Sequence, residues 1–155
     1  MKRMHNLLVW LATLSATLFC SVVLAQSIPS VEPRVALKGY DPVAYFTEQK
    51  PVKGNSIISY DWDESRYYFA SARNRDLFAA DPDRYAPRFD GYCTASITRG
   101  VKNEADPEFW AIVDGKLYLV GTGKGREAAM KGIERLKNDP AMIALAQKKW
   151  KELGR

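Results

Sequence analysis

Histidine is almost missing from this chain: of 155 residues, one, His5, carries an imidazole, and it stands near the start. Cysteine is nearly as scarce, with two, Cys20 and Cys93. The opening residues read as an export leader, because Lys2 and Arg3 precede an uncharged apolar run from Leu7 to Ala25. Val23-Leu24-Ala25 before Gln26 then offers a cleavage site of small or branched residues. Residues 1–25 are therefore expected to be a signal peptide and 26–34 a linker. The domain is placed in a bacterial periplasm or secreted by the general route. The alternative is an uncleaved leader that anchors the domain to the inner membrane. With the leader set aside, the domain has no histidine and one thiol, Cys93. That excludes Ser-His-Asp and Cys-His relays, zinc sites built on imidazole, and haem held by a proximal histidine. A disulfide framework is excluded by the same count.

A strong charge of one sign is also lacking, with 23 Lys+Arg against 18 Asp+Glu and a formal net charge of +5. The basic excess gathers in the tail from Lys124 to Arg155. Basic residues on the outer faces of amphipathic helices explain it. Nucleic acid is not expected as a partner, since the chain carries no binding motif for it. Membrane contact is expected only through an uncleaved leader or weakly through the basic tail.

What is present is 46% hydrophobic residues, enough for one globular domain that folds without metal or disulfide. Ile58, Tyr60 and Trp62 alternate before a turn at Asp63-Glu64-Ser65 and an aromatic run from Arg66 to Ala70, which predicts a β-hairpin. A second hairpin is predicted from Phe109 to Val113 and from Lys116 to Val120, because Asp114-Gly115 suits a type I′ turn. Asp106 and Glu108 beside Pro107 read as a turn. Ser71 is placed to cap a helix that turns Leu77 and Phe78 inward and stops before Asp81-Pro82. Beyond Val120 the periodicity becomes helical: Ala129, Ile133 and Leu136 form one stripe, and Met142, Ala146, Trp150 and Leu153 the next. Between them, Asp139-Pro140 supplies an N-cap and a proline at the first helical position. The expected fold is a small single α+β domain, two hairpins forming a sheet packed by about three helices, with a C-terminal helical tail. No internal repeat is apparent.

Gly39-Tyr40-Asp41-Pro42-Val43-Ala44-Tyr45-Phe46, Tyr67-Tyr68-Phe69-Ala70-Ser71 and Phe78-Ala79-Ala80-Asp81-Pro82-Asp83-Arg84-Tyr85 resemble the YHS domain family, specifically its exported single-domain branch. Gly91-Tyr92-Cys93 and Val113-Asp114-Gly115-Lys116-Leu117-Tyr118-Leu119 extend the likeness. The resemblance implies a YHS-like domain over residues 35–120, followed by helices in 121–155 that pack on it. Metal-associated members of the family have three cysteines at positions that fall here on Ala44, Ala70 and Asn74. All three thiolates of that soft site are absent, so the metal site is not carried over.

The candidate ligand or thiol site is therefore Cys93 with Tyr92, Tyr40 and Asp41. Cys93 stands where a loop enters a short helix, which leaves two readings open: a buried small hydrophobe, or a thiol that meets a soft metal such as copper, a small ligand or a redox partner. Asp41 before Pro42 is expected to hold a turn by accepting backbone N–H groups. The eight tyrosines are expected to be half-buried strand residues, with a tyrosine-lined pocket as the alternative. Gly121-Thr122-Gly123-Lys124-Gly125 lacks both the Walker and the dinucleotide spacing, so it reads as a strand-to-helix connection whose helix still attracts anions. The favoured function is a non-catalytic binding module for a soft metal ion or small ligand. The alternative is a thiol-dependent redox protein or enzyme centred on Cys93.

Overall fold

Both hairpins form where the alternation places them. In the computed structural model, which describes residues 32–154, strand β2 (Asn55–Trp62) turns and returns antiparallel as β3 (Ser65–Phe69). The turn is two residues, Asp63 and Glu64, with φ of 45° and 61°. Ser65 therefore already belongs to the strand, as a two-residue turn of this hand requires. A short strand β1 (Arg34–Val35) lies parallel on the far side of β3, giving the order β1-β3-β2. A separate two-stranded sheet pairs β4 (Asp106–Val113) with β5 (Lys116–Val120) across Asp114-Gly115. The expected single sheet is thus two. Asp106, Pro107 and Glu108 are strand rather than turn, because the ladder slips between Asp106 and Trp110 and this irregularity accommodates a proline that cannot donate.

Six α-helical segments complete the domain. Three are the longer ones, all expected: α2 (Ala72–Ala80), α5 (Arg126–Asn138) and α6 (Pro140–Glu152). Three are single turns: α1 (Ala44–Thr47) and α3 (Pro82–Tyr85), which periodicity does not reveal, and α4 (Thr94–Ile97), the short helix expected after Cys93. Ser71 caps α2 by accepting from Asn74 N–H at 3.1 Å. Asp81 caps α3 through Arg84 N–H. Asp139 occupies the N-cap of α6 but its side chain does not cap; the carboxylate accepts from Arg135 at 3.2 Å instead. No helix among the described residues is long and apolar enough to cross a membrane. The expected leader, with residues 1–25, lies outside the described residues.

Two hydrophobic clusters hold these elements. In the first, Phe78 on α2 is fully buried, and its ring meets Tyr67 at 4.6 Å, Phe69 at 5.3 Å, Tyr60 at 6.0 Å and Trp62 at 6.1 Å. The second joins β4 and β5 to α4, α5 and α6 through Ile97, Leu117, Leu119, Leu136 and Ala146. The two apolar stripes of the tail are those expected, with Ala129, Leu136, Met142 and Ala146 buried.

The chain repeats itself in structure. Ala36–Gly39 and Arg88–Gly91 are both tight 3-10 turns in which the last three residues have positive φ: Leu37, Lys38 and Gly39 in one, Phe89, Asp90 and Gly91 in the other. Tyr40 then bridges Lys53, and Tyr92 bridges Glu104. Asp41 N–H donates to Val52 C=O, and Cys93 N–H to Asn103 C=O, both at 2.9 Å. A single-turn helix follows each, α1 and α4. A hairpin comes next, and each ladder slips at the same point, between Asn55 and Ser59 and between Asp106 and Trp110. Each half ends in two helices parted by Asp-Pro, at Asp81-Pro82 and at Asp139-Pro140. In this correspondence Asp41 matches Cys93, Ala70 matches Gly121, and Asn74, third residue of α2, matches Ala128, third residue of α5.

Candidate functional site

Asp41 is fully buried and all of its acceptor capacity is used inside the protein. Oδ1 accepts from Val43 N–H at 2.8 Å and Ala44 N–H at 3.4 Å, closing the turn into α1. Oδ2 accepts from Ala70 N–H at 2.8 Å and from the Asn74 side-chain amide at 2.7 Å. One carboxylate thereby ties the signature turn, the end of β3 and the first turn of α2 together. A charged acceptor with several good donors is the arrangement that makes burial of a carboxylate tolerable.

Cys93 holds the matching position in the second half and does something different. It is 5% exposed, caps no helix with its side chain, and is a free thiol. It also lines a cavity of about 360 Å³, together with Ser96, Arg99, Gly121, Lys124 and Ala128 among others. Cys93 is therefore packed in the second hydrophobic cluster and also borders the cavity. Gly121 makes this possible: a Cβ there would stand 2.7 Å from Glu104 C=O and 3.7 Å from Cys93 Sγ. The Gly121-Thr122-Gly123-Lys124-Gly125 connection is thus part of the cavity wall. Its following helix, α5, starts from Gly125 with no side-chain cap, whereas α2 has Ser71.

The rim is charged. Arg99 donates to Ala95 C=O at 2.7 Å and to Ser96 Oγ at 3.2 Å, which braces its guanidinium beside α4. Asn103 donates to the same Ser96 hydroxyl. Glu104 also lines the cavity and faces Arg34 at 3.8 Å. Thr94, next to Cys93, is fully buried, and its hydroxyl has no hydrogen-bond partner.

Of the four residues singled out from the sequence, only Cys93 lines this cavity. Tyr40 is near the surface of the first half, where Lys53 lies 4.1 Å from its ring centre and its hydroxyl donates to Glu108 at 3.1 Å. Its pKa is raised by desolvation and by that carboxylate. Tyr92 packs beneath Arg34 and against Trp150. Asp41 has the turn role expected of it. The tyrosines do not converge on the cavity; Tyr45 and Tyr67 are buried in the clusters, and burial is the first cause raising both phenol pKa values. Sequence reasoning missed Arg99, Lys124, Gly121 and Ala128 as one site, because three separate segments bring them together.

Among the described residues, no group of three or more histidine, cysteine, aspartate or glutamate side chains is arranged to hold a metal ion. Comparison with family models, curated proteins and solved structures finds no match for this chain. What the fold establishes is the class, a small α+β domain with two small sheets.

Proposed function

We propose that this protein is an exported YHS-type binding module without catalytic activity, and that it seats a small ligand in the Cys93 cavity. The observation that carries the reading is the cavity itself. Its volume of about 360 Å³ is that of a small-molecule site, and its wall mixes apolar surface with a few polar groups. The resemblance to YHS domains is consistent with the arrangement around Asp41. The three positions where the family's metal-associated forms have thiols are Ala44, Ala70 and Asn74, and here each donates a hydrogen bond to the Asp41 carboxylate. A soft ion would find at the Cys93 cavity one thiol and the Glu104 carboxylate, too few donors for a tight site. A small organic ligand is therefore favoured over copper or zinc.

A ligand-observed NMR screen of neutral and charged fragments tests this reading, run beside Ala128→Trp. Ala128 is exposed at the cavity wall, so a tryptophan there covers the opening without entering the core. Fragments that bind the wild type and lose binding in Ala128→Trp are expected. No such fragment, or Cu(I) binding at micromolar affinity that Cys93→Ser abolishes, overturns the proposal. Rapid alkylation of Cys93 at neutral pH with turnover of a disulfide substrate would establish the thiol-enzyme alternative.

A further inference from the structure

Each half borders a cavity at the matching place, lined by Ala70, Ser71 and Asn74 in the first and by Gly121 and Ala128 in the second, but only the second reaches the signature turn, at Cys93. In the first half, the Asn74 amide donates to the Asp41 carboxylate at 2.7 Å, and Asn74 lines the cavity while Asp41 does not. In the second half the same two positions hold Cys93 and Ala128, and both line the cavity. The match of Ala70, whose N–H donates to Asp41, is Gly121, and it lines the cavity too. The first half has its helix capped by Ser71; the second starts α5 at Gly125 with no side-chain acceptor. A carboxylate, an amide and a hydroxyl have all been removed from one place.

Resting on the proposed ligand seat at Cys93, we infer that the cavity takes the carboxylate of a small organic ligand, in the place that the first half fills with its own Asp41. The side chains around it agree in sign. Arg99 and Lys124 supply two cations on the wall, and among the described residues Lys124 has no ion-pair partner. Glu104 is the one carboxylate there, and it faces Arg34. Ala128, in the uncapped first turn of α5, lines the cavity, and a helix start of this kind favours anions. The cavity is larger than a carboxylate, so the rest of the ligand lies against the apolar wall formed by Cys93, Val120 and Ala128.

The test is an amide-shift titration with propionate and, in parallel, propionamide, which has the same shape without the charge. Propionate is expected to shift the amides of Ala95, Gly121 and Ala128 saturably, with propionamide at least tenfold weaker. Lys124→Gln, an exposed change, is expected to weaken propionate at least threefold. Cys93→Asp with Ala128→Asn rebuilds the first half's carboxylate and amide, and is expected to weaken it at least tenfold. Propionamide binding as well as propionate overturns the carboxylate assignment and leaves the ligand seat standing. Absence of propionate binding, or no effect of Lys124→Gln, also overturns it. If the double variant does not fold, Lys124→Gln and propionamide decide. The seat itself is decided separately, by the fragment screen and the Cu(I) titration.

Discussion

The first half of the domain spends a buried carboxylate on holding itself together, and the second half has dispensed with it. Asp41 joins three segments through four side-chain hydrogen bonds, while Cys93 at the matching place reaches Asn103 and Leu119 through its backbone alone and borders a cavity. The same backbone path therefore tolerates two solutions. The second needs another source of stability, and the longer helices supply it: α5 and α6 have 13 residues each, against 9 and 4 in α2 and α3. Their buried faces, Ala129, Leu136, Met142 and Ala146, close the second cluster. Both halves border a cavity at the matching place, and the half secured by helix packing is the one whose cavity reaches its signature turn.

The sharpest way to break this comparison is to remove each residue in turn. Asp41→Ala leaves two or more buried N–H donors and the Asn74 amide without an acceptor, which costs about 3–5 kcal/mol. Cys93→Ala deletes one sulfur beside an existing cavity and costs about 1 kcal/mol. Urea denaturation of both variants checks the contrast. Equal losses would mean that the two positions are not doing different work.

The next effect is on pH. Tyr45 in the first half donates its hydroxyl to Pro107 C=O at 3.0 Å, tying the halves together, and Tyr67 packs against Phe78. Burial raises both phenol pKa values above the ordinary 10.0. A proton held more tightly in the folded state gives stability that is complete below the unfolded value and declines as pH rises above it. Each buried phenol therefore costs about 1.4 kcal/mol of stability for every pH unit above that point. Ultraviolet titration should show these two tyrosines ionising only as the protein unfolds, and Tyr45→Phe should shift the alkaline unfolding midpoint upward. Tyr118, in the second half, is raised by burial too, but Arg88 opposes the shift, so it should ionise earlier.

A smaller effect tests the correspondence of the halves at a glycine. A Cβ on Gly54 would meet the Tyr68 backbone at 2.4 Å, whereas the matching residue, Ala105, already carries a Cβ and is buried. Gly54→Ala should cost about 1–3 kcal/mol by overpacking. Ala105→Gly should cost about 1–2 kcal/mol, through chain entropy and the loss of a buried methyl. Thermal unfolding of the two variants measures both, and a neutral Gly54→Ala would show that the first hairpin can move as the second has.

Much of the architecture was legible because it rests on local signals. Asp114-Gly115, Ser71, and the stripes through Ala129 and Met142 each announce an element by chemistry or spacing. The two tight turns were not legible, since Leu37, Lys38 and Phe89 are residues that seldom adopt positive φ. The longest traces of the repeat in the sequence are two dipeptides, Gly39-Tyr40 against Gly91-Tyr92 and Asp81-Pro82 against Asp139-Pro140. Both dipeptides are too short to stand out without the fold around them. The turn role of Asp41 was readable from Asp-Pro chemistry, but its bonds to Ala70 and Asn74 were not, because they join distant segments. The cavity was least legible of all. Its defining positions are a glycine and an alanine, Gly121 and Ala128, and small residues announce nothing until the chain places them opposite a thiol.

The smallest effect concerns the outer face of the first hairpin. Asp61 and Arg66 are directly opposed on β2 and β3 and form a two-bond ion pair, at 2.7 and 2.9 Å. Hydrogen bonding by Arg66 holds the Asp61 carboxyl below its ordinary pKa. The matching pair in the second hairpin is Ile112 and Leu117, which joins the core instead. An exposed pair is screened by solvent and salt, so Asp61→Asn should cost no more than about 0.5–1 kcal/mol. What it does contribute is present above the unfolded carboxylate pKa and is lost as pH falls through the lowered folded value. Stability measured at low and high salt should therefore converge for the wild type and Asp61→Asn as salt rises. Ile112→Ala, by contrast, should cost more and show no such salt dependence, because a cross-strand apolar pair in a core is insensitive to screening. If both variants responded to salt alike, the division between a solvated first hairpin and a buried second one would have to be withdrawn.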